Sequence, residues 1–190
     1  MKKLFYILFI FALSFCNSMS TPDKTLKSYF DELISDKSFN TKYWDINEFC
    51  KTYYGSIWDN ASEEDKKEQV LLIEKLAKNM VNSHKDVFDK IVIKEINALE
   101  ASNDTAKYRV VFFIKDMANS DSYVDFVLRK YGSSWKIVNY ERMKYGDKEL
   151  VTSEVFKNNF NTLLENLGYK DKSIDLKVIN EFMKNSMNLK

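Results

Sequence analysis

The chain has 190 residues, 45% of them hydrophobic and 15% aromatic, with 29 Lys plus Arg against 28 Asp plus Glu and a formal net charge of +1. A balance this even gives no electrostatic drive toward nucleic acid or anionic surfaces, so no nucleic-acid partner is expected. One His and two Cys exclude metal sites built from those ligands. The four Gly form no phosphate-cradling G-x-x-x-x-G-K-[ST] loop, so neither a nucleotide nor any other cofactor is expected.

Lys2 and Lys3 precede an unbroken apolar run from Leu4 to Phe15, followed by small and polar residues that include Ser18 and Ser20. This is the pattern of a secretory signal peptide over residues 1–20, and the run falls short of the ~20 residues a membrane-spanning helix needs. Lipidation at Cys16 is the lesser alternative, because Phe15 stands where a lipoprotein signal carries a small residue. Cleavage removes two lysines and leaves residues 21–190, a length suited to a single domain. Cys50 is then the only cysteine, so no internal disulfide forms, and its place in the series Ile46, Phe49, Cys50, Tyr53, Tyr54 makes it a small buried hydrophobe.

The mature chain opens on Thr21-Pro22-Asp23, with Thr21 suited to a cap and Pro22 to a first helical position. Leu26, Tyr29, Phe30, Leu33 and Ile34 then recur at helical spacing, predicting a helix that ends near Asp36. A short helix follows Asp45 and ends at Gly55. The strongest runs from Ser62 to about His84: Ser62 caps it, Glu63, Glu64 and Asp65 oppose the positive terminus, and Val70, Ile73, Leu76, Ala77, Met80 and Val81 form its stripe.

Beyond His84 the period changes to two. Strands are predicted at Ile91–Asn97, Lys107–Lys115, Ser122–Tyr131 and Trp135–Arg142, with short connections that imply an antiparallel meander. In the third, Val124, Phe126 and Leu128 face inward and Asp125, Val127 and Arg129 face water; in the second, Tyr108, Val110, Phe112 and Ile114 face inward. The last strand offers two inward pairs, Trp135 with Ile137 or Val138 with Tyr140. Two helices, Ser153–Leu167 and Ser173 to about Asn188, close the chain over the sheet. The fold class is therefore α+β: helices, a four-stranded antiparallel curved sheet, and two closing helices.

Catalytic candidates are few. His84 sits at a helix end, where a surface role is the plain reading. Asp125 could act as a base only from inside the sheet, and alternation turns it outward, so no enzyme activity is expected. What remains in excess is aromatic and aliphatic surface, which a filled core and a ligand cavity would use alike.

Two blocks carry a resemblance. Tyr53 to Val81 places an aromatic pair ahead of a Ser-capped acidic turn and a long helix, with Trp58, Ser62, Asp65 and Gln69 in matching positions; Tyr123–Lys130 followed by Ser134-Trp135-Lys136-Ile137-Val138 repeats a strand, turn and W-K-[IV] strand. In these blocks and in the order of its elements the chain resembles the MlaC (toluene-tolerance) family of periplasmic phospholipid-binding proteins. It departs from the family at Met143–Leu150, a longer stretch with a different turn.

The resemblance implies a non-enzymatic, monomeric periplasmic carrier with phospholipid as cargo. Its partners would be an inner-membrane ABC transporter complex and an outer-membrane lipoprotein complex of an Mla-type system that maintains outer-membrane lipid asymmetry. It also implies an acyl cavity lined by Ile73, Leu76, Ala77 and Met80 from the long helix and by Val110, Phe112, Ile114, Val124, Phe126 and Leu128 from the sheet. Two other readings stand beside it: an exported or lipidated protein-interaction module with a filled core, and a small cone-fold enzyme using Asp125 and a tyrosine.

Overall fold

The computed structural model describes residues 20–116, 120–145, 148–151 and 175–188. Helix α1 (Pro22–Asp36) is followed by a 3-10 turn (Thr41–Tyr43), α2 (Ile46–Tyr54), the short α3 (Ser56–Asp59), the long α4 (Glu63–Ser83) and the short α5 (Lys85–Phe88). Strands β1 (Ile91–Ala101), β2 (Thr105–Ile114), β3 (Ser122–Tyr131), β4 (Ser134–Tyr145) and β5 (Lys148–Val151) come next, then α6 (Leu176–Asn188).

Local chemistry sets these boundaries. Asp45 accepts the Glu48 N–H at 3.0 Å and starts α2. Gly55, at φ 52°, ends it while its N–H bonds the Lys51 carbonyl. Ser62 accepts the Asp65 N–H at 3.1 Å and starts α4, whose first turn carries three acids. Thr21 makes no side-chain cap; its carbonyl takes the Thr25 N–H, and Pro22 supplies the helical φ. Asp175 accepts the Val178 N–H at 3.0 Å at the head of α6. The helix expected over 153–167 lies outside the described residues, as does the apolar leader.

The strands form one open antiparallel sheet in the order β1-β2-β3-β4-β5, one strand more than expected. The fifth pairs with the Arg142–Tyr145 end of β4, inside the stretch that departs from the MlaC pattern. Four residues are too few for a period of two to declare itself.

Register shifts interrupt the outer ladders, at Lys94 and Leu99 in β1 and at Val138 and Glu141 in β4, while β2 and β3 pair without a break. Each extra residue bends its strand and increases the local twist, which curves the sheet around its inner face. The shift at Val138 also answers the choice left open for β4. Ile137 sits opposite Leu128 and Tyr140 opposite Phe126, so both face inward although they are three residues apart.

Two clusters form the interior. The first joins Leu26, Tyr29 and Leu33 of α1 to Val110, Phe126, Leu128, Trp135 and Ile137 of the sheet. The second joins Ile46, Cys50, Tyr54 and Trp58 to Leu176 and Ile179. Expected to lie over the sheet, α6 instead packs on α4, because its buried stripe meets the α2 and α4 side chains of the second cluster. Among the described residues no helix is long and apolar enough to cross a membrane.

Candidate ligand-binding site

The inner face of the sheet is apolar by construction. Val110 faces Val124, Tyr108 faces Phe126 and Ala106 faces Leu128 across the β2–β3 ladder, so one row of side chains from each strand points the same way. Over one half of this face lies α1. Its Phe30 meets Phe126 edge to face at a centroid distance of 5.7 Å.

Over the other half lies a strap made by the 3-10 turn and the start of α2. Trp44 forms an isolated parallel bridge with Ile137, and the Asp45 N–H donates to the Ile137 carbonyl at 2.9 Å. That bond satisfies part of the free edge of β4 above its pairing with β5. Trp44 then touches Tyr29, Phe39, Phe49 and Phe126 at ring distances of 5.9 to 6.3 Å and packs against both clusters. Phe49 and Tyr53 continue the aromatic row to Tyr140. Burial raises the Tyr29 hydroxyl to about 12, which keeps it neutral among these rings.

The long helix stands apart from this packing. Its main neighbours among the described elements are α2 and α6, not the sheet. Near its N-terminal end Leu72 and Gln69 are buried; Gln69 donates to the Tyr54 hydroxyl at 2.7 Å, and Asn180 of α6 donates to the Asp65 carbonyl at 3.0 Å. Farther along, the same stripe runs beyond the cover that the described elements give it, with Leu76 38% and Met80 59% exposed. Val81, one turn past Ala77, reaches the first cluster.

The ten residues proposed for an acyl cavity are therefore distributed unevenly. Val110 and Leu128 are fully buried, and Phe126 and Ile114 nearly so; Val124 packs half-buried against the same cluster as Val110, Phe126 and Leu128, and Phe112 is half-buried. Ile73 packs against the second cluster, Ala77 is half-buried, and Leu76 and Met80 are open. Sequence reasoning passed over Trp44 and Phe30 as site candidates, and both pack on Phe126 at the inner face of the sheet. Their signal was present: Trp44 is a large apolar side chain stranded in a polar connection, and Phe30 stands on the α1 stripe next to Tyr29.

Asp125 overturns an expectation. It was placed facing water, yet it is 3% exposed, and Arg109 grips both of its oxygens, Nε at 2.7 Å and Nη2 at 2.8 Å. The guanidinium in turn lies 3.8 Å from the centre of the Tyr123 ring, whose hydroxyl donates to Glu149 at 2.7 Å. These neighbours fold over the carboxylate on the outer face and shut out water. With each oxygen bonded to the guanidinium and the carboxylate closed off from water, Asp125 is held as a structural ion pair. His84 is exposed at the end of α4, its Nδ1 donating to the Met80 carbonyl at 2.9 Å. Cys50 is fully buried, and desolvation, with a smaller contribution from the Asp45 charge, pushes its thiol up to about 12.

A curved antiparallel sheet, helices laid on one face of it and a long helix held off to the side define an α+β architecture with an apolar inner face. No protein-family model matches the chain, and no curated protein sequence does. Among solved structures, that of a phospholipid-binding protein from Ralstonia solanacearum in complex with a phospholipid shares the fold, with a TM-score of 0.60. The two chains are 13% identical, over 87% of this chain and 96% of the other.

Proposed function

We propose that the chain is a phospholipid carrier: a non-enzymatic, single-domain protein of the periplasm that takes up a phospholipid between α4 and the inner face of the sheet. In this reading it shuttles the lipid between an inner-membrane ABC transporter complex and an outer-membrane lipoprotein complex of an Mla-type system. The lipid is cargo, no cofactor takes part, and the protein works as a monomer. The observation that carries the reading is the uncovered apolar stripe of α4 at Leu76 and Met80, in a fold shared with a protein solved with a phospholipid bound. Each methylene hidden from water stabilises the complex by about 0.8 kcal/mol, so a partly covered apolar wall is a strong attractor for acyl chains. Release then requires α4 to move against the sheet, which its separation from the sheet permits.

Native mass spectrometry of protein purified from membrane-containing cells tests this. The carrier should retain one phospholipid mass, removable by detergent exchange. Recovery of apoprotein alone, after incubation with phospholipid vesicles as well, overturns it. That result would favour the interaction module, whose filled core the Tyr29–Trp44–Phe126 aromatic packing would then represent.

A further inference from the structure

The contact between α6 and α4 joins apolar packing to incomplete polar pairing. Leu176, Ile179 and Met183 of α6 sit in the second cluster, against which Ile73 of α4 also packs. Two fully buried amides lie in the same contact. Asn180 donates to the Asp65 carbonyl at 3.0 Å, and Gln69 donates to the Tyr54 hydroxyl at 2.7 Å and meets the Met183 sulfur at 3.3 Å. Each amide uses its nitrogen, while its oxygen, Asn180 Oδ1 or Gln69 Oε1, has no hydrogen-bond partner among the described residues. A buried acceptor that gives up water without gaining a donor weakens the docked state by about five- to a hundredfold. The nearby Lys184–Glu68 ion pair keeps more than a third of each side chain exposed, so solvent screens it and it offsets little.

Once undocked, α6 has little to hold it together. It has 13 residues, among them Asn180, Asn185, Ser186 and the β-branched Val178 and Ile179, with no acid in its first turn and no base in its last. A helix of that length and composition is marginal in water. Undocking and unwinding are therefore one event. The event is separable from the sheet, because the neighbours of α6 among the described elements are α4 and the second cluster.

Its place on α4 gives this event a use. Gln69, Ile73, Leu76 and Met80 recur at helical spacing on one face of α4; the first two lie under the contact with α6 and α2, and the last two stand exposed. Resting on the carrier reading, we infer that α6 is a displaceable latch on α4. It leaves while the sheet cluster stays folded, and the open apolar wall then extends from Met80 back to Ile73, giving acyl chains a path in and out. The unpaired oxygens keep the latch weak enough to open.

Hydrogen exchange of the full mature chain, read by mass spectrometry, tests the latch; transfer of a fluorescent phospholipid between phosphatidylethanolamine vesicles tests its use. Protection factors in α6 should lie at least about tenfold below those in β2 and β3. Asn180→Leu keeps the branched shape, removes the unpaired oxygen and leaves the Asp65 carbonyl its helical bond, so it should slow both α6 exchange and lipid transfer by about tenfold. Ile179→Ala removes buried packing and should speed both by about tenfold or more. In each variant the β2 and β3 amides should remain the slower set, which verifies that the sheet stays folded while α6 opens. Equal protection of α6 and the β2–β3 ladder, or faster α6 exchange in Asn180→Leu, overturns the latch whatever the transfer rates are. Transfer rates that stay fixed while α6 exchange shifts overturn its role as a gate. Transfer by none of the three proteins overturns the carrier reading and the gate with it, while the exchange pattern still decides whether α6 opens alone.

Discussion

Arg109 and Asp125 show what a single buried charge demands of its surroundings. Asp125 has lost nearly all contact with water, and among the described residues its desolvation is offset by the two hydrogen bonds from Arg109. The guanidinium side chain keeps 30% of its surface, so solvent screens it in part and the pair is worth less than a fully buried one. Arg109→Met should destabilise the fold by about 2–3 kcal/mol, because it strands the carboxylate, whereas adding Asp125→Asn to the same chain should recover more than half of the loss. Urea unfolding of the two single variants and the double variant measures this. Additive losses would show that the two residues do not depend on each other.

At the scale of the element, the strap from Thr41 to Asp45 joins the two halves of the interior. Trp44 is the side chain that packs against both clusters, and its backbone pairs with β4. Trp44→Ala should cost about 3 kcal/mol from lost packing. Because that residue couples the sheet cluster to the α2–α6 cluster, unfolding should also lose its single transition, which circular dichroism and near-ultraviolet tyrosine signals recorded together would reveal. Coincident curves in the variant would assign the coupling elsewhere.

The same element marks the limit of what the sequence discloses. The faces of β2 and β3 were readable because their ladder runs unbroken and hydrophobic alternation is then a direct record of direction. In β1 and β4 the shifts at Lys94, Leu99, Val138 and Glu141 break that record: Ile93 and Ile96 share a face, as do Ile137 and Tyr140, at a spacing that simple alternation forbids. The starts of α2 and α4 were legible at Asp45 and Ser62, because capping is a local transaction between neighbours. The bridge from Trp44 to Ile137 spans more than ninety residues and leaves no local trace. Asp125 was misjudged for a similar reason, since its cover comes from Arg109 on another strand and not from its own neighbours in sequence.

For the whole molecule, the question is whether lipid capture can be separated from folding, and the distribution of burial makes that possible. Phe126 is wedged between Phe30 and Trp44, so a charge there would collapse the sheet cluster and abolish binding for a trivial reason. Leu76 and Met80 are already open, and replacing them removes little native packing. A lysine at either place could extend its stem and return its ammonium to water, leaving an acyl chain undisturbed. Aspartate is too short to escape, and bringing hydrocarbon against it would desolvate a charge with no partner. Met80→Asp and Leu76→Asp should therefore lower the amount of phospholipid recovered with the protein by about tenfold each while shifting stability by no more than about 1 kcal/mol, chiefly through helix propensity. Lipid quantified per mole of protein, beside a urea curve for each variant, decides the matter: full lipid occupancy in both stable variants would move the acyl site off α4 altogether.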